Sequence, residues 1–405
     1  MDTTVLIIFI LVYLGMMLGR YPGLALDRTG IALLGAITLL ALGKTTPEDA
    51  RDSIDVPTMA LLLGLMVVSA QFRLGGFYTQ VTRVLAQIDV SPSLLLGLMI
   101  LISGFLSALL ANDIICLAMT PVMIEGIEKR KLNPLPYLLG LACASNVGSA
   151  ATLIGNPQNM LIGQKLGLSF SGYLIEALPP VMIGLGIIWG VIHIQTRGNW
   201  TSDQPVQVAS APAFNLWQTS KAIVVLFFLI LAFLFSNWPR EVVALCAAGL
   251  LLTSRRMTTR SILSLVDWNL LTLFAGLFIV NHVLDISGVL KELMGWLKEM
   301  RIHLEQPMWL FGTTVVLSNL VSNVPATILL LPAATHEMAG PILALSSTLA
   351  GNLFIVGSIA NIIVVEQAGL MGVRISWVDH AKTGLPVTLL TLAVSALWLW
   401  LRSGG

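Results

Sequence analysis

Long apolar segments are the feature that most limits what this chain can fold into. Apolar runs of about 17–25 residues, enough to cross roughly 30 Å of hydrocarbon, recur along its length. Hydrophobic residues make up 56% of the 405 residues and charged residues 11%, against roughly 25% charged in soluble domains. Inside a bilayer every backbone N–H and C=O needs a partner within the protein, and helices provide it. The sequence therefore predicts an all-α polytopic membrane protein.

Charge and cysteine content argue against several other classes of protein. The formal net charge is +1, so no basic field predicts a nucleic-acid partner. Cys116, Cys143 and Cys246 lie in apolar runs without CxxC spacing, which favours buried thiols over disulfides or zinc ligands. The first apolar run starts at Thr4 without a basic stretch before it, so we interpret it as a membrane helix and not a signal peptide.

One membrane-length segment cannot be a continuous apolar helix. Residues Tyr137–Gly167 have the right length, but their middle, Ala144–Met160, carries three Asn, two Gly and a Pro. Irregular backbone at bilayer depth survives only where protein or a watery cavity supplies hydrogen-bond partners, and transporters place binding sites there. A simple Gly/Pro kink would need fewer polar residues. We therefore expect a broken helix with a functional middle.

The order of segments occurs twice along the chain. We assign a first repeat to residues 1–196, a polar linker to 197–220 and a second repeat to 221–405. The first repeat contains a hairpin (94–126) and a broken helix (137–167), and the second contains a hairpin (308–338) and a broken helix (341–366). Each repeat also contains an amphipathic helix, Arg73–Val90 or Ile286–Ile302. Internal repeats of this kind are a known design of transporters.

Polar positions carry the alignment of the two repeats. Residues of the first hairpin, Ser107, Asn112 and Pro121, match Ser318, Asn323 and Pro332 with identical spacing. Residues of the first broken helix, Asn146, Gly155 and Asn159, match Asn352, Gly357 and Asn361, with four extra residues in the first copy.

Charge predicts the topology. The basic connection Glu128–Lys131 is expected on the cytoplasmic side, as is Arg255-Arg256, and Lys44–Asp55 outside. Each repeat then makes five crossings plus one re-entrant hairpin, so the second repeat is inverted and both termini are extracytoplasmic. If the hairpins were full crossings, the basic connection would face outward, which its charge disfavours.

Four interruptions should meet near the middle of the membrane. Helix N-termini and Asn or Ser side chains at such breaks can bind a polar or anionic substrate, and freed carbonyls suit Na⁺. The candidate substrate- and cation-binding residues are Asn112, Asp113, Ser145, Asn146, Gly148, Ser149, Thr152, Asn156, Asn159, Ser322, Asn323, Asn352, Ser358 and Asn361. A Na⁺ site would lie near Asn112, Asp113 and Asn146. The alternative is that these residues only cap helices.

Asp113 is the only carboxylate that we place near the middle of the membrane. Ionisable residues there are costly and are functional candidates by default. A structural role as the N-cap of a helix from Ile114 is the alternative. The repeat mate of Asp113 is Val324, so the same hairpin forms elsewhere without a carboxylate. We therefore predict that Asp113 couples transport to H⁺ or Na⁺, with no other cofactor.

The motifs resemble a known superfamily. Residues 141–159, which contain Ser-Asn-Val-Gly-Ser and Gly-Asn-Pro-Gln-Asn, resemble the broken helix of the ion transporter superfamily. They are most similar to the citrate-transporter-like branch with ArsB-type arsenite permeases, NhaD-type antiporters and uncharacterised anion permeases. Ala111-Asn-Asp and Val321-Ser-Asn-Val-Pro325 resemble its two hairpin tips. The resemblance implies a homodimer in which a transport domain moves against a scaffold in an elevator-like motion.

The resemblance also implies a function. We expect a secondary transporter of the inner membrane for an oxyanion or neutral oxyacid, with arsenite or antimonite efflux first, and an Na⁺/H⁺ antiporter as the alternative. Na⁺-coupled dicarboxylate uptake is less expected, because that branch has Ser-Asn-Thr at both tips. Expected partners are a small inorganic or organic anion, the lipid bilayer, a second copy and, for an arsenite permease, an ATPase subunit. An enzyme is not expected, since no HExxH motif occurs, and two inverted repeats favour alternating access over a channel.

Overall fold

The computed structural model describes residues 2–19, 21, 23–201, 212–254 and 257–403 of the chain. Within these ranges it contains twenty α-helices, two 3-10 helices and no β-strand, which confirms the all-α class. The first ten helices are α1 (Thr3–Leu18), α2 (Arg28–Ala41), α3 (Pro47–Ser53), α4 (Val56–Leu74), α5 (Phe77–Gln87), α6 (Pro92–Leu109), α7 (Asn112–Lys129), α8 (Pro134–Ser149), α9 (Pro157–Lys165) and α10 (Phe170–Gln195). The second ten are α11 (Leu216–Phe235), α12 (Arg240–Leu252), α13 (Thr259–Leu263), α14 (Trp268–Ile286), α15 (Val289–Glu299), α16 (Pro307–Val321), α17 (Asn323–Leu330), α18 (Ala339–Ala350), α19 (Ile359–Leu370) and α20 (Trp377–Arg402). The 3-10 helices are Leu331–Ala333 and Ile355–Gly357.

Six of these helices are long and apolar enough to cross a membrane: α4, α6, α10, α11, α14 and α20. Helices α1, α2, α16, α18 and α19 are apolar but shorter. The polytopic membrane class is therefore confirmed. The count of five crossings and one re-entrant hairpin per repeat stays a prediction, since α6, which we expected to be a hairpin arm, has crossing length.

Equivalent helices in the two halves begin with the same local signals. Asp55 caps α4 by accepting the Thr58 N–H at 2.9 Å, and Asp267 caps α14 by accepting the Leu270 N–H at 2.9 Å. A glycine with positive φ precedes the amphipathic helix in each half, at Gly76 before α5 and Gly288 before α15. Because glycine adopts this backbone conformation without steric cost, it sets a sharp turn at both places.

The two halves pack on each other through two equivalent helix crossings, α4 with α12 and α14 with α2. A Cβ atom added to Gly64 of α4 would lie 2.7 Å from the Ala244 carbonyl carbon of α12. A Cβ atom added to Gly276 of α14 would lie 2.8 Å from the Ala32 carbonyl carbon of α2. Small residues at such crossings let membrane helices approach closely. Since Gly64 matches Gly276 and Ala244 matches Ala32, exchanging the halves maps one contact onto the other.

Helices α4 and α14 run antiparallel. Arg73, near the end of α4, lines one cavity together with Asp267, which immediately precedes α14. Ser53, just before α4, lines a different cavity together with Asp285, near the end of α14. This arrangement is what an inverted repeat requires of this helix pair, while the inversion of the whole repeat in the membrane stays a prediction.

Contacts divide most of the helices into two packed groups. Helices α1–α4 pack with α11–α14, and helices α6–α10 pack with α16–α20. The hairpins and broken helices all belong to the second group. Contacts between the groups run mainly through α4 with α7 and α9, α14 with α17, and α1 with α16.

Several predicted boundaries were wrong. Helix α8 continues to Ser149, so the first break covers residues 150–156 and does not begin at Ala144, because Ser145 and Asn146 keep helical backbone and use only their side chains. Arg73 belongs to the end of α4, so the amphipathic helix is shorter than expected. The hairpins cover 92–129 and 307–333, and the second return helix ends in a 3-10 turn at Pro332.

Other differences concern the segments between the membrane helices. The sequence patterns missed the short helices α3 and α13. Helix α11 starts at Leu216, inside the predicted linker 197–220, and residues 202–211 of that linker lie outside the described residues, as do Arg255 and Arg256. Helices α10 and α20 each have 26 residues and are slightly longer than the apolar runs of about 17–25 residues expected to cross the membrane.

Candidate functional site

The two broken helices meet at the side chain of Asn146. Its amide nitrogen donates to Asn352 Oδ1 at 2.8 Å and to Asn361 Oδ1 at 3.0 Å. Its amide oxygen accepts the Ser358 hydroxyl at 2.7 Å. Asn146 lies in the last turns of α8, and its three partners lie at or beside the second break. The Asn146 side chain of the first repeat therefore binds the second break through three hydrogen bonds. Both of its N–H groups and one of the two lone pairs on its oxygen are used.

A second set of contacts joins the first break to α18. Asn156 Nδ2 donates to Ser149 Oγ at 2.9 Å and to Thr348 Oγ1 at 3.2 Å. Gln158 Nε2 also donates to Thr348 Oγ1 at 3.2 Å. The sequence patterns missed Gln158 and Thr348 as partners, because Thr348 lies in an uninterrupted helix and nothing in its spacing marks it.

Asn159 and Asn361 stabilise the irregular backbone of the two breaks. Asn159 Nδ2 donates to the Thr152 carbonyl at 3.0 Å, and Asn361 Nδ2 donates to the Gly351 carbonyl at 2.9 Å. Both asparagines are fully buried. A carbonyl freed from helical hydrogen bonding costs free energy unless another donor satisfies it. Asn159 and Asn361, which are repeat mates, supply that donor. Neither of them lines the two cavities at the junction of the breaks.

Each hairpin tip touches the break of its own repeat. Thr152 donates its hydroxyl hydrogen bond to the Ala108 carbonyl at 2.5 Å. A Cβ atom added to Gly351 would lie 3.1 Å from Asn323 Nδ2. The predicted convergence of the four interruptions is therefore present in the geometry. The role of these residues in binding stays a prediction.

Capping explains only some of the polar residues. Asn156 caps α9 through the Asn159 N–H at 2.9 Å, and Ser358 caps α19 through the Ala360 N–H at 3.2 Å. At the tips, neither α7 nor α17 has a side-chain cap. Asp113 lies in the first turn of α7 and is not the cap of a helix from Ile114.

Backbone strain occurs at the second tip. Ser322 has φ 79° and ψ 160°, a region that residues other than glycine rarely adopt. Such conformations persist only where the surrounding structure imposes them, and they concentrate at functional sites.

Two connected cavities lie at this junction. The larger, of about 270 Å³, runs between α4, α14 and α19 from Arg73 and Asp267 to Asn112 and Asp113. The smaller, of about 30 Å³, shares Asn112, Asp113 and Asn156 with it. The polar residues lining the smaller cavity are Asn112, Asp113, Asn146, Asn156, Gln158, Ser322, Asn323 and Ser358. Among the described residues that line it, five are amides, two are hydroxyls, one is a carboxylate and none is basic.

Seven of the candidate residues line these cavities, and the other seven are buried next to the lining residues without facing a cavity. The lining candidates are Asn112, Asp113, Asn146, Asn156, Ser322, Asn323 and Ser358. The supporting candidates are Ser145, Gly148, Ser149, Thr152, Asn159, Asn352 and Asn361. Gly148 permits close packing, because a Cβ atom there would overlap the Gly104 carbonyl group of α6. The three residues proposed around Na⁺ (Asn112, Asp113 and Asn146) do lie together in the smaller cavity.

One lining group is left without a partner. The buried Oδ1 atom of Asn323 has no hydrogen-bond partner among the described residues. Ser107 and Ser318, repeat mates one turn before the tips, also have buried hydroxyl oxygens without a partner there. Buried polar atoms without partners cost free energy and call for an explanation. At the second tip, the unpaired oxygen is available to a bound cation or a hydroxyl group.

Comparison with known proteins gives the family. The model of the CitMHS family, described as citrate transporter, matches residues 4–342. The silicon efflux transporter LSI3 of Oryza sativa subsp. japonica is 28% identical, over 92% of each chain. A Dictyostelium discoideum protein named arsB is 22% identical, over 92% of this chain and 87% of its own. The crystal structure of the Alcanivorax borkumensis YdaH transporter is 14% identical, with a TM-score of 0.59 over 99% of this chain and 98% of that chain.

The YdaH likeness concerns the fold alone. The family match, which covers most of the chain, and the apolar helices above agree with the predicted superfamily. This chain therefore belongs to the citrate transporter family of the ion transporter superfamily, and it is a multi-pass membrane transporter and not an enzyme.

Proposed function

We propose that this transporter moves a small neutral oxyacid, with arsenous or antimonous acid as the leading substrate, out of the cell in a cycle coupled to H⁺ or Na⁺. The observation that carries the proposal is the composition of the smaller cavity, which has five amides, two hydroxyls, one carboxylate and no basic side chain among the described lining residues. Amides and hydroxyls can each donate and accept, which suits a substrate that carries several hydroxyl groups. A polyvalent anion would find no cationic side chain in the smaller cavity, and Arg73 of the larger cavity shares that cavity with the carboxylates of Asp113 and Asp267, so most of the charge of the anion would be buried without a partner.

Asp113 supports the coupling. It is the carboxylate of the smaller cavity, and it lines that cavity together with the amide side chains of Asn112 and Asn146. Carboxylate and amide oxygens are suitable ligands for a hard cation such as Na⁺. A proton or Na⁺ bound at Asp113 would neutralise the only formal charge of the cavity before a neutral oxyacid enters. Arsenite binding through thiolates has no support here, because both buried cysteines, Cys116 and Cys143, lie outside the cavity lining.

The relatives support an oxyacid but do not identify it. LSI3 is named for silicon efflux and the Dictyostelium protein is named arsB. Silicic acid and arsenous acid are both neutral polyhydroxy acids near pH 7. The citrate in the family description has weaker support for this chain, because citrate carries several negative charges, whereas the smaller cavity has no cation and the larger one has a single cation, Arg73, beside two carboxylates.

An Na⁺/H⁺ antiporter is the alternative. The same carboxylate and amide oxygens would bind Na⁺ and H⁺ in turn, and no further substrate would be needed. The volume of the smaller cavity, about 30 Å³, favours the antiporter, because it suits an ion better than an oxyacid. The larger cavity of about 270 Å³, which reaches the same carboxylate, has room for an oxyacid as well.

The two packed groups of helices support an elevator-like cycle. In the proposed cycle α6–α10 and α16–α20 move against α1–α4 and α11–α14 and carry the site across the inner membrane. A homodimer and, for arsenite, an ATPase subunit are the proposed partners, and both termini are proposed to be extracytoplasmic.

Everted membrane vesicles test the proposed function. Vesicles from arsenite-sensitive bacteria that produce this chain should accumulate arsenite when energised, and unlabelled antimonite or silicic acid should compete while citrate should not. Collapsing the proton or the sodium gradient with a selective ionophore identifies the coupling ion. Vesicles without the chain are the control. Energised vesicles that accumulate citrate but not arsenite would contradict the proposal, whereas Na⁺-driven proton movement without any oxyacid would favour the antiporter.

A further inference from the structure

The ends of α9 and α19 are repeat mates with unequal surroundings. The alignment that pairs Asn159 with Asn361 also pairs residues 163–165 with residues 365–367. The elements around them are paired as well, because Arg28 begins α2 as Arg240 begins α12. For every contact at the end of α9, the alignment therefore identifies the equivalent pair of residues at the end of α19.

Three polar contacts hold the end of α9. Arg240 Nη2 donates to the Gly163 carbonyl at 2.8 Å, and Gln164 Nε2 donates to Glu241 Oε2 at 2.9 Å. Lys165 Nζ lies 2.6 Å from Asp55 Oδ2, and the Asp55 side chain is only 13% exposed. Together these contacts fasten the end of α9, in the second group of helices, to α12 and to the start of α4, in the first group.

The pKa of the Asp55 carboxyl lies below its usual value. Burial raises this pKa, but the hydrogen bonds from Lys165 and Thr58 outweigh the effect of burial. The Asp55–Lys165 contact is therefore an ion pair at neutral pH, and a charge-assisted hydrogen bond is roughly twice as strong as a neutral one.

The counterpart contacts around α19 are not made. Arg28 instead donates to the Met16 carbonyl at 3.1 Å, and Thr29 donates to the Asn269 carbonyl at 3.2 Å. The side chains of Glu366 and Gln367 have no hydrogen bond or ion pair with residues in the described ranges. The space between α19 and α14 is occupied by the larger cavity, with Ile363 on one wall and Leu270 on the other.

We propose that these two sets of residues are a pair of latches that close in turn, one on each side of the membrane; the proposal rests on the alternating access of the proposed function. When the larger cavity closes, α19 docks on α2 and α14: Arg28 donates to the Val365 carbonyl, Thr29 to Glu366, and Gln367 to Asp267. At the same time Arg240, Glu241 and Asp55 release α9.

The two latches differ in one charge. The α9 latch contains the Lys165–Asp55 ion pair, whereas its counterpart joins the neutral Gln367 to Asp267. The α9 latch is therefore the stronger of the two, and the state with the larger cavity open is the resting state. Substrate and coupling ion must then supply the difference in free energy that closes the cavity.

Two matched substitutions with different expected effects test the latches. The reporter is a cysteine at Met66, which lines the larger cavity, in the full chain with the exposed Cys246 replaced (Cys246→Ser). The measurement is the rate at which a charged methanethiosulfonate modifies it. Arg240→Gln should lower the ratio of open to closed molecules about five-fold, the effect of one lost hydrogen bond of typical strength, and the modification rate should fall in proportion to the fraction of open molecules. Arg28→Gln should leave the rate at or above that of the parent. An equal fall in the modification rate with both substitutions, or an unchanged rate in R240Q, would overturn the proposal.

Cross-linking separates the latches from the proposed function. A short bis-maleimide should join cysteines placed at Asp55 and Lys165, and in other molecules cysteines placed at Asp267 and Gln367, but not cysteines at Asp267 and Gly369. A protein that transports arsenite but never forms the Asp267–Gln367 cross-link would refute the latches and leave the function standing. If both cross-links form in a protein that transports no oxyacid, the latches stand and the proposed function falls.

Discussion

Replacing Asp113 with asparagine is expected to uncouple transport from the ion gradient. The substitution keeps the shape of the side chain and removes the carboxylate of the smaller cavity, which is the proposed binding group for H⁺ or Na⁺. Coupling between two ligands is typically about 1–3 kcal/mol, or about 5–150-fold in affinity. We therefore expect the effect of the coupling ion on substrate affinity to fall by a factor within that range, and uptake against a gradient to stop.

The measurement is arsenite uptake by proteoliposomes at several Na⁺ concentrations and pH values. Asp27→Asn is the matched control, because Asp27 lines neither cavity and caps α2 by accepting the Gly30 N–H at 2.8 Å. An asparagine is also a good helix cap, so this control should keep its coupling. Full ion-coupled transport in the Asp113→Asn protein would exclude Asp113 as the coupling residue.

Replacing Asn146 with aspartate is expected to have the largest effect on stability. Its amide nitrogen donates to Asn352 and Asn361, and a carboxylate in its place would face two amide oxygens with no hydrogen to share. Leaving a buried polar group unsatisfied costs about 1–3 kcal/mol, and more for a charged one. Only the hydrogen bond from Ser358 would remain.

The expected result is a fall of several kcal/mol in the free energy of unfolding, measured as loss of the monodisperse peak and a lower melting temperature in detergent. Asn215→Asp is the matched control, since Asn215 caps α11 through its oxygen and aspartate caps equally well. If the Asn146→Asp protein melts at the same temperature as the control, the hydrogen bonds of Asn146 do not hold the two breaks together.

Sequence periodicity predicted the helical class, and the spacing of polar residues predicted the convergence of the breaks, because buried polar groups limit where backbone and side chains can lie. An asparagine in an apolar segment must find a partner, and Asn146, Asn352 and Asn361 find one another. The family followed from the same residues, since the motif around the first break is distinctive.

The direction of each side chain could not be predicted in the same way. Asn159 and Asn361 looked equivalent to the lining residues, yet their amides turn back to carbonyls of their own breaks. Side-chain direction depends on backbone dihedral angles, and these have no periodicity in irregular segments. The contacts of Lys165 were missed for a related reason, because Asp55 lies more than a hundred residues away and no local pattern joins the two.

Alternating access requires a single site between the four breaks that opens to each side of the membrane in turn. Counterflow in proteoliposomes tests it most directly: vesicles are loaded with unlabelled arsenite and diluted into a trace of labelled arsenite without any ion gradient. Under alternating access, labelled arsenite accumulates transiently above its outside concentration and the flux saturates. Flux that rises linearly with concentration, with no accumulation of label, would contradict alternating access and indicate a channel.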